Sequence, residues 1–131
     1  MRKFKGWFFM LLISLSLFGL TACSDGGVNA YEQITPEQAK TIMDTESEYI
    51  IIDARTDEEF AEGHIADAIL IPEYEIADRA EKELPNKDAL ILVYCRSGRR
   101  SKIASEELVK LGYTNVKEFG GIIDWPYEIV K

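Results

Sequence analysis

The stretch "ALILVYCRSGRRSK" (residues 89–102) changes character at its midpoint. Residues 89–95 are an unbroken apolar run, the pattern of a strand buried on both faces of a parallel sheet. Past Cys95, Ser97 and Gly98 supply a sharp turn. Ala104, Leu108 and Leu111 then recur at helical spacing, and Gly112 stands at the position after the helix cap. A buried strand that runs straight into a helix is the unit from which α/β sheets are built, and in such sheets ligands sit beyond the carboxyl ends of strands. The turn after Cys95 is therefore the first place to look for chemistry.

The flanking segments repeat the alternation. "YEQITPEQAKTIMDT" reads as a short strand and a helix, with Thr35 as N-cap, Pro36 at the first helical position and Gln38 closing a capping box. "YIIID" (49–53) is a buried strand. "TDEEFAEG" carries Thr56 and Glu59 at capping-box spacing, and Gly63 ends that helix. "AILIP" (68–72) is a further strand. Residues 73–84 form an amphipathic helix with Ile76, Ala77, Ala80 and Leu84 on one face. "PNKD" is a turn, "NVKEF" (115–119) the last strand, and "GGIIDWPYEIVK" closes the domain. The expectation is one three-layer α/β domain over residues 31–131, a central parallel sheet with helices on both faces.

The 131 residues leave room for one such domain. The amino-terminal end is different in kind. Arg2, Lys3 and Lys5 precede an apolar run from Trp7 to Leu20, followed by small residues ending at Cys23. That is the layout of a secretory signal over residues 1–22, since the run is shorter than the ~20 residues a bilayer-spanning helix needs. "LTAC" (20–23) resembles the lipobox of bacterial lipoproteins. The resemblance implies lipidation of Cys23, anchoring to a membrane and an extracytoplasmic location. Residues 23–30 then serve as a small, polar tether. Removing Arg2, Lys3 and Lys5 from 15 basic residues leaves 12 against 23 acidic ones, a net charge of −11. Nucleic acid is excluded as a partner, because phosphate contacts need a basic face.

Two cysteines, Cys23 and Cys95, invite a disulfide in an exported protein. A lipidated Cys23 has no free thiol, which leaves Cys95 unpaired. One histidine and one free cysteine give a metal ion too few ligands, so no metal is expected. A helix N-terminus after Cys95 offers unpaired N–H groups and a favourable dipole to a thiolate, and cysteine pKa values fall in such settings. Arg96, Arg99 and Arg100 add local positive charge, which a screening length of ~8 Å separates from distant carboxylates. Cys95 and residues 96–100 thus form a candidate anion site.

"CRSGRRS" (95–101) resembles the active-site loop of single-domain rhodaneses, the thiosulfate and persulfide sulfurtransferases. "IIDARTDEEFAEGHIADAILIP" (51–72) and "FGGIIDW" (119–125) resemble further segments of the same family in the same order. The resemblance implies the rhodanese fold and a catalytic Cys95. This residue takes the outer sulfur of a small anionic donor as a persulfide and passes it to a thiol or to cyanide, with no cofactor. It also implies a substrate cradle formed by Arg96, Ser97, Gly98, Arg99 and Arg100. In that cradle Arg96 and Arg100 contact the donor or hold the loop, and Arg99 either joins them or is open to solvent.

Asp53 and Arg55 are supporting residues by the same resemblance, expected as a structural ion pair. His64 and Trp125 are expected to have structural rather than catalytic roles. A monomer is expected. Two other readings remain at this point. Phosphatases of related fold have a C-x5-R loop, but here Ser101 stands where that arginine belongs. Rhodanese-like modules that only bind or regulate usually lack the cysteine, whereas Cys95 is present.

Overall fold

The computed structural model describes residues 30–131. The expected signal sequence, Cys23 and nearly all of the expected tether lie outside them. Five strands, β1 (Glu32–Gln33), β2 (Ile50–Asp53), β3 (Ile69–Leu70), β4 (Ile91–Cys95) and β5 (Val116–Gly121), form one sheet in the order β1-β5-β4-β2-β3. Every pairing within it is parallel. The helices are α1 (Pro36–Thr45), α2 (Asp57–Glu62), α3 (Ile76–Glu83) and α4 (Arg99–Lys110). The expected parallel α/β architecture is what the chain forms.

β4 occupies the middle of the sheet, and all five of its residues are buried. The two-residue period of a strand sends Ile91, Val93 and Cys95 to one face, where they pack with Ile76 and Ala80 of α3 and Ala104 and Leu108 of α4. Leu92 and Tyr94 go to the other face and join Ala39 of α1, Ile65, Phe119 and Trp125. A continuous apolar run is thus the consequence of two cores, one on each side of the sheet.

Both expected capping boxes form. Thr35 Oγ1 accepts from the Gln38 N–H while the Gln38 side chain accepts from the Thr35 N–H, and Thr56 and Glu59 do the same. Three expectations need correction. Glu73–Glu75 form a 3-10 turn, so α3 begins only at Ile76. Ala77 is exposed, and the inward stripe of α3 is Ile76, Ala80 and Leu84. The strand in "AILIP" is only Ile69–Leu70; Ile71 and Pro72 are buried beyond its end.

The β4–β5 ladder contains an irregularity. Val93 pairs with Glu118, but Cys95 pairs with Gly121. β5 therefore spends one residue more than β4 over that interval, as at a β-bulge. This slip sets Gly121 beside the start of the loop that follows Cys95.

Candidate active site

Cys95 is the last residue of β4 and is 1% exposed. It is a free thiol. The chain turns at Gly98, whose φ of +108° is a conformation that L side chains rarely adopt. This turn aims the Gly98 N–H at the Cys95 sulfur, with N to Sγ 3.0 Å. Gly98 is the N-cap of α4, so the contact is made by the amino end of a twelve-residue helix. A negative charge on that sulfur meets a hydrogen-bond donor and the positive end of the helix dipole together.

The second neighbour of the sulfur is Ser101, whose Oγ lies 3.3 Å from Sγ. Ser101 is fully buried and also reaches Glu118 Oε1 at 2.6 Å and the Gly98 carbonyl at 3.0 Å. Glu118 is 3% exposed and its Oε1 also accepts from the Gly120 N–H at 2.8 Å. Sequence reading missed both residues. Ser101 was visible in it only as the absence of an arginine, and Glu118 lies in a strand whose pattern gave no signal of a buried carboxylate.

The three arginines separate. Arg96 and Arg99 are exposed, as is Ser97. Arg100 is half-buried and spans the carboxylate of Glu59 on α2, with Nη1 to Oε2 at 2.9 Å and Nη2 to Oε1 at 3.0 Å. Hydrogen bonding to Glu59 holds the Arg100 guanidinium above its ordinary pKa, and a charge on Cys95 adds to that rise. Reciprocally, the Arg100 hydrogen bond holds Glu59 below the usual carboxylate range. Arg100 therefore ties the first turn of α4 to α2 while its charge bears on the sulfur.

Asp53 and Arg55 form the expected buried ion pair, Nη2 to Oδ2 at 2.7 Å. Arg55 Nε and its backbone N–H both donate to Asp53 Oδ1 at 3.0 Å, and Nη2 donates to the Gly63 carbonyl at 2.7 Å. Tyr94 donates its hydroxyl to Asp53 Oδ2 at 2.6 Å and accepts from the Ile65 N–H at 3.0 Å. Burial, then the charge of Asp53 and its hydrogen bond, push the Tyr94 hydroxyl well above its ordinary pKa, so Tyr94 acts as a donor at all ordinary pH. This network joins the ends of β2 and β4 to the segment after α2. Its members bond one another and none bonds the Cys95 sulfur.

His64 stacks on Phe60 with centroids 3.7 Å apart, and its Nδ1 bonds the Phe60 carbonyl at 3.0 Å. Its backbone pairs with Val130 in both directions at 2.8 Å, pinning the carboxyl-terminal segment. Trp125 packs on Phe119 with centroids 5.5 Å apart in the core opposite Cys95. Neither side chain hydrogen-bonds the Cys95 sulfur. Among the described residues, no group of three or more His, Cys, Asp and Glu could hold a metal ion.

Residues 35–126 match the family model described as a rhodanese-like domain. The chain is 40% identical over 80 residues to the thiosulfate sulfurtransferase PspE of Escherichia coli K12, covering 61% of this chain and 77% of that one. It is 41% identical over 88 residues to a sulfurtransferase of Allochromatium vinosum, covering 66% of this chain and 79% of the relative. Among solved structures, a rhodanese with anions from E. coli superposes with a TM-score of 0.60 at 37% identity, covering 63% of this chain and 98% of that one. A rhodanese-like domain protein from Staphylococcus aureus gives 0.66 at 34% identity, over 74% and 93%. A parallel five-stranded sheet, a cysteine at the end of its central strand and a match spanning residues 35–126 make this chain a member of the rhodanese-like sulfurtransferase family.

Proposed function

We propose that Cys95 carries sulfane sulfur as a persulfide, taken from thiosulfate or another small anionic donor and handed to a thiol or to cyanide. The observation that carries this reading is the Gly98 N–H directed at Sγ from the amino end of α4. A preorganised donor at a forming or leaving anion is the commonest large contribution to catalysis. In the first half-reaction the Cys95 thiolate attacks the outer sulfur of thiosulfate. The sulfur–sulfur bond of the donor breaks, its electron pair leaves on sulfite, and Cys95 holds a persulfide anion. In the second, a nucleophilic acceptor attacks the outer sulfur and the Cys95 thiolate is released. The charge of Arg100, and of the exposed Arg96 and Arg99, draws the anionic donor to the loop. The test is turnover of thiosulfate with cyanide by the wild-type protein and by Cys95→Ala, with loss of turnover expected in the variant. Turnover of p-nitrophenyl phosphate equal to that with thiosulfate would favour a phosphatase instead.

The reading extends to location. The lipobox-like "LTAC" supports anchoring through a lipid on Cys23, with the domain on the outer side of a bacterial membrane. Lipidation with several acyl chains is stable, whereas a single chain is marginal. The wild-type protein is expected in the membrane fraction and Cys23→Ala in the soluble fraction. Equal partitioning of the two would refute the anchor.

A further inference from the structure

The Ser101 hydroxyl sits among too many acceptors for its single proton. Within reach of Oγ are the Glu118 carboxylate at 2.6 Å, the Gly98 carbonyl at 3.0 Å, the Gly120 carbonyl at 3.4 Å and the Cys95 sulfur at 3.3 Å. Three of these four are oxygens that accept. When Ser101 donates to Glu118, its closest partner, the only group among the described residues left to donate to Oγ is the Cys95 S–H. When the sulfur is an anion and Ser101 donates to it, Oγ is left able to accept from Glu118, which completes the line if Glu118 is protonated. Each arrangement is complete with one proton on the line, at either end. Ser101 and Glu118 are both buried, so water does not supply the missing donor cheaply.

We propose that Cys95 and Glu118 share one proton across the Ser101 hydroxyl, and that Glu118 takes up the thiol proton as the sulfur becomes nucleophilic. This rests on the sulfur-carrier reading of Cys95. The Cys95 proton moves to Ser101 Oγ while the Ser101 proton moves to Glu118 Oε1. Thiol and carboxylate become thiolate and carboxylic acid, with total charge unchanged. The proton returns when the acceptor has removed the outer sulfur and Cys95 is again a thiolate. Ser101 touches the reacting atom; Glu118 acts through it and is a positioning residue.

Charges that bear on the pair come from several neighbouring elements. Arg100 of α4, held by Glu59 of α2, interacts with a charge on Cys95 and with Arg55 beyond β2. Arg96 and Arg99 flank the sulfur in the loop but are exposed. Asp53 is neutralised by Arg55 and bonded by Tyr94. Tyr31, just ahead of β1, is pushed above its ordinary pKa by burial and then by Glu106 and Glu118.

The experiment is the rate of Cys95 alkylation by iodoacetamide against pH, from about 4 to 10, the span in which carboxyl and thiol groups titrate. It uses the full-length wild-type protein, Glu118→Gln and Ser101→Ala. Two coupled sites lose their two protons in two macroscopic steps that belong to the pair, and the singly protonated pair between those steps is the form that shares a proton. The wild-type rate is expected to rise in two steps, the lower one absent from Glu118→Gln. Ser101→Ala is also expected to lose the lower step, and it keeps the test open if Glu118→Gln fails to fold. A wild-type profile with one step, superimposable on those of both variants, overturns the proposal. Intact mass after thiosulfate exposure separates the two readings. Normal sulfur uptake with superimposable profiles refutes proton sharing alone, whereas no uptake by the wild-type protein refutes the carrier reading beneath it.

Discussion

Arg100 and Glu59 meet across 41 residues of sequence, the guanidinium lying over both carboxylate oxygens at 2.9 and 3.0 Å. One arginine of the loop is thereby fixed in place, while Arg99, its neighbour, is exposed. Charge-assisted hydrogen bonds of this kind contribute roughly 1.5–3 kcal/mol. Arg100→Ala is expected to lower kcat/KM for thiosulfate about tenfold or more, and Arg99→Ala by less than about threefold, in steady-state assays with cyanide. Equal losses would remove Arg100 from its special position.

The same pair sets an acid limit. Glu59 has its pKa depressed in the folded protein by the Arg100 hydrogen bond, below an ordinary value of 4.5. A depressed carboxylate contributes stability above its unfolded pKa and loses it as pH falls through the folded one. Glu59→Gln is expected to cost on the order of 1 kcal/mol in urea unfolding at neutral pH. The gap between wild type and variant should close below the ordinary carboxylate range. A gap that is constant with pH would mean that packing rather than charge holds α2 to α4.

Asp53 and Arg55 are buried together, and removing one charge strands the other. Breaking such a pair costs about 3–5 kcal/mol. Asp53→Asn should lower the unfolding free energy by that amount. No member of the pair bonds the sulfur, so the folded fraction should still take up sulfur at Cys95. A stable but inactive Asp53→Asn would instead place this residue in the chemistry.

The bulge in β5 gives the two glycines of "FGGIIDW" different duties. A Cβ on Gly121 would lie 1.9 Å from the Arg96 carbonyl oxygen and 2.5 Å from the Ser97 nitrogen, both backbone atoms of the loop. A Cβ on Gly120 meets nothing within 4 Å; only its φ of +88° resists a side chain. Gly121→Ala must displace the loop, and a misplacement near 1 Å can cost about 100-fold in rate. Gly120→Ala should cost roughly 1–2 kcal/mol of stability, with activity in the folded protein falling less than for Gly121→Ala. Thiosulfate:cyanide kinetics together with thermal unfolding distinguish the two.

What could be read from the sequence was local. Capping boxes at Thr35–Gln38 and Thr56–Glu59 span three residues, so their chemistry is written in adjacent letters. The burial of β4 and the turn at Gly98 were legible for the same reason. The exposure of Ala77 was not, because it lies at the edge of the stripe formed by Ile76, Ala80 and Leu84, a position that helical spacing assigns to neither face. Nor were the partners of Arg100 and Ser101. Glu59 and Glu118 stand 41 and 17 residues away from them, brought in by the order of the strands and by the slip in the β4–β5 register.

Mass spectrometry of the intact protein after exposure to thiosulfate tests the central claim most directly. The account predicts a gain of one sulfur atom, mapped to Cys95, removed by cyanide or a small thiol, and absent from Cys95→Ala. A wild-type protein that gains no sulfur, or that gains it with Cys95 replaced, would contradict it.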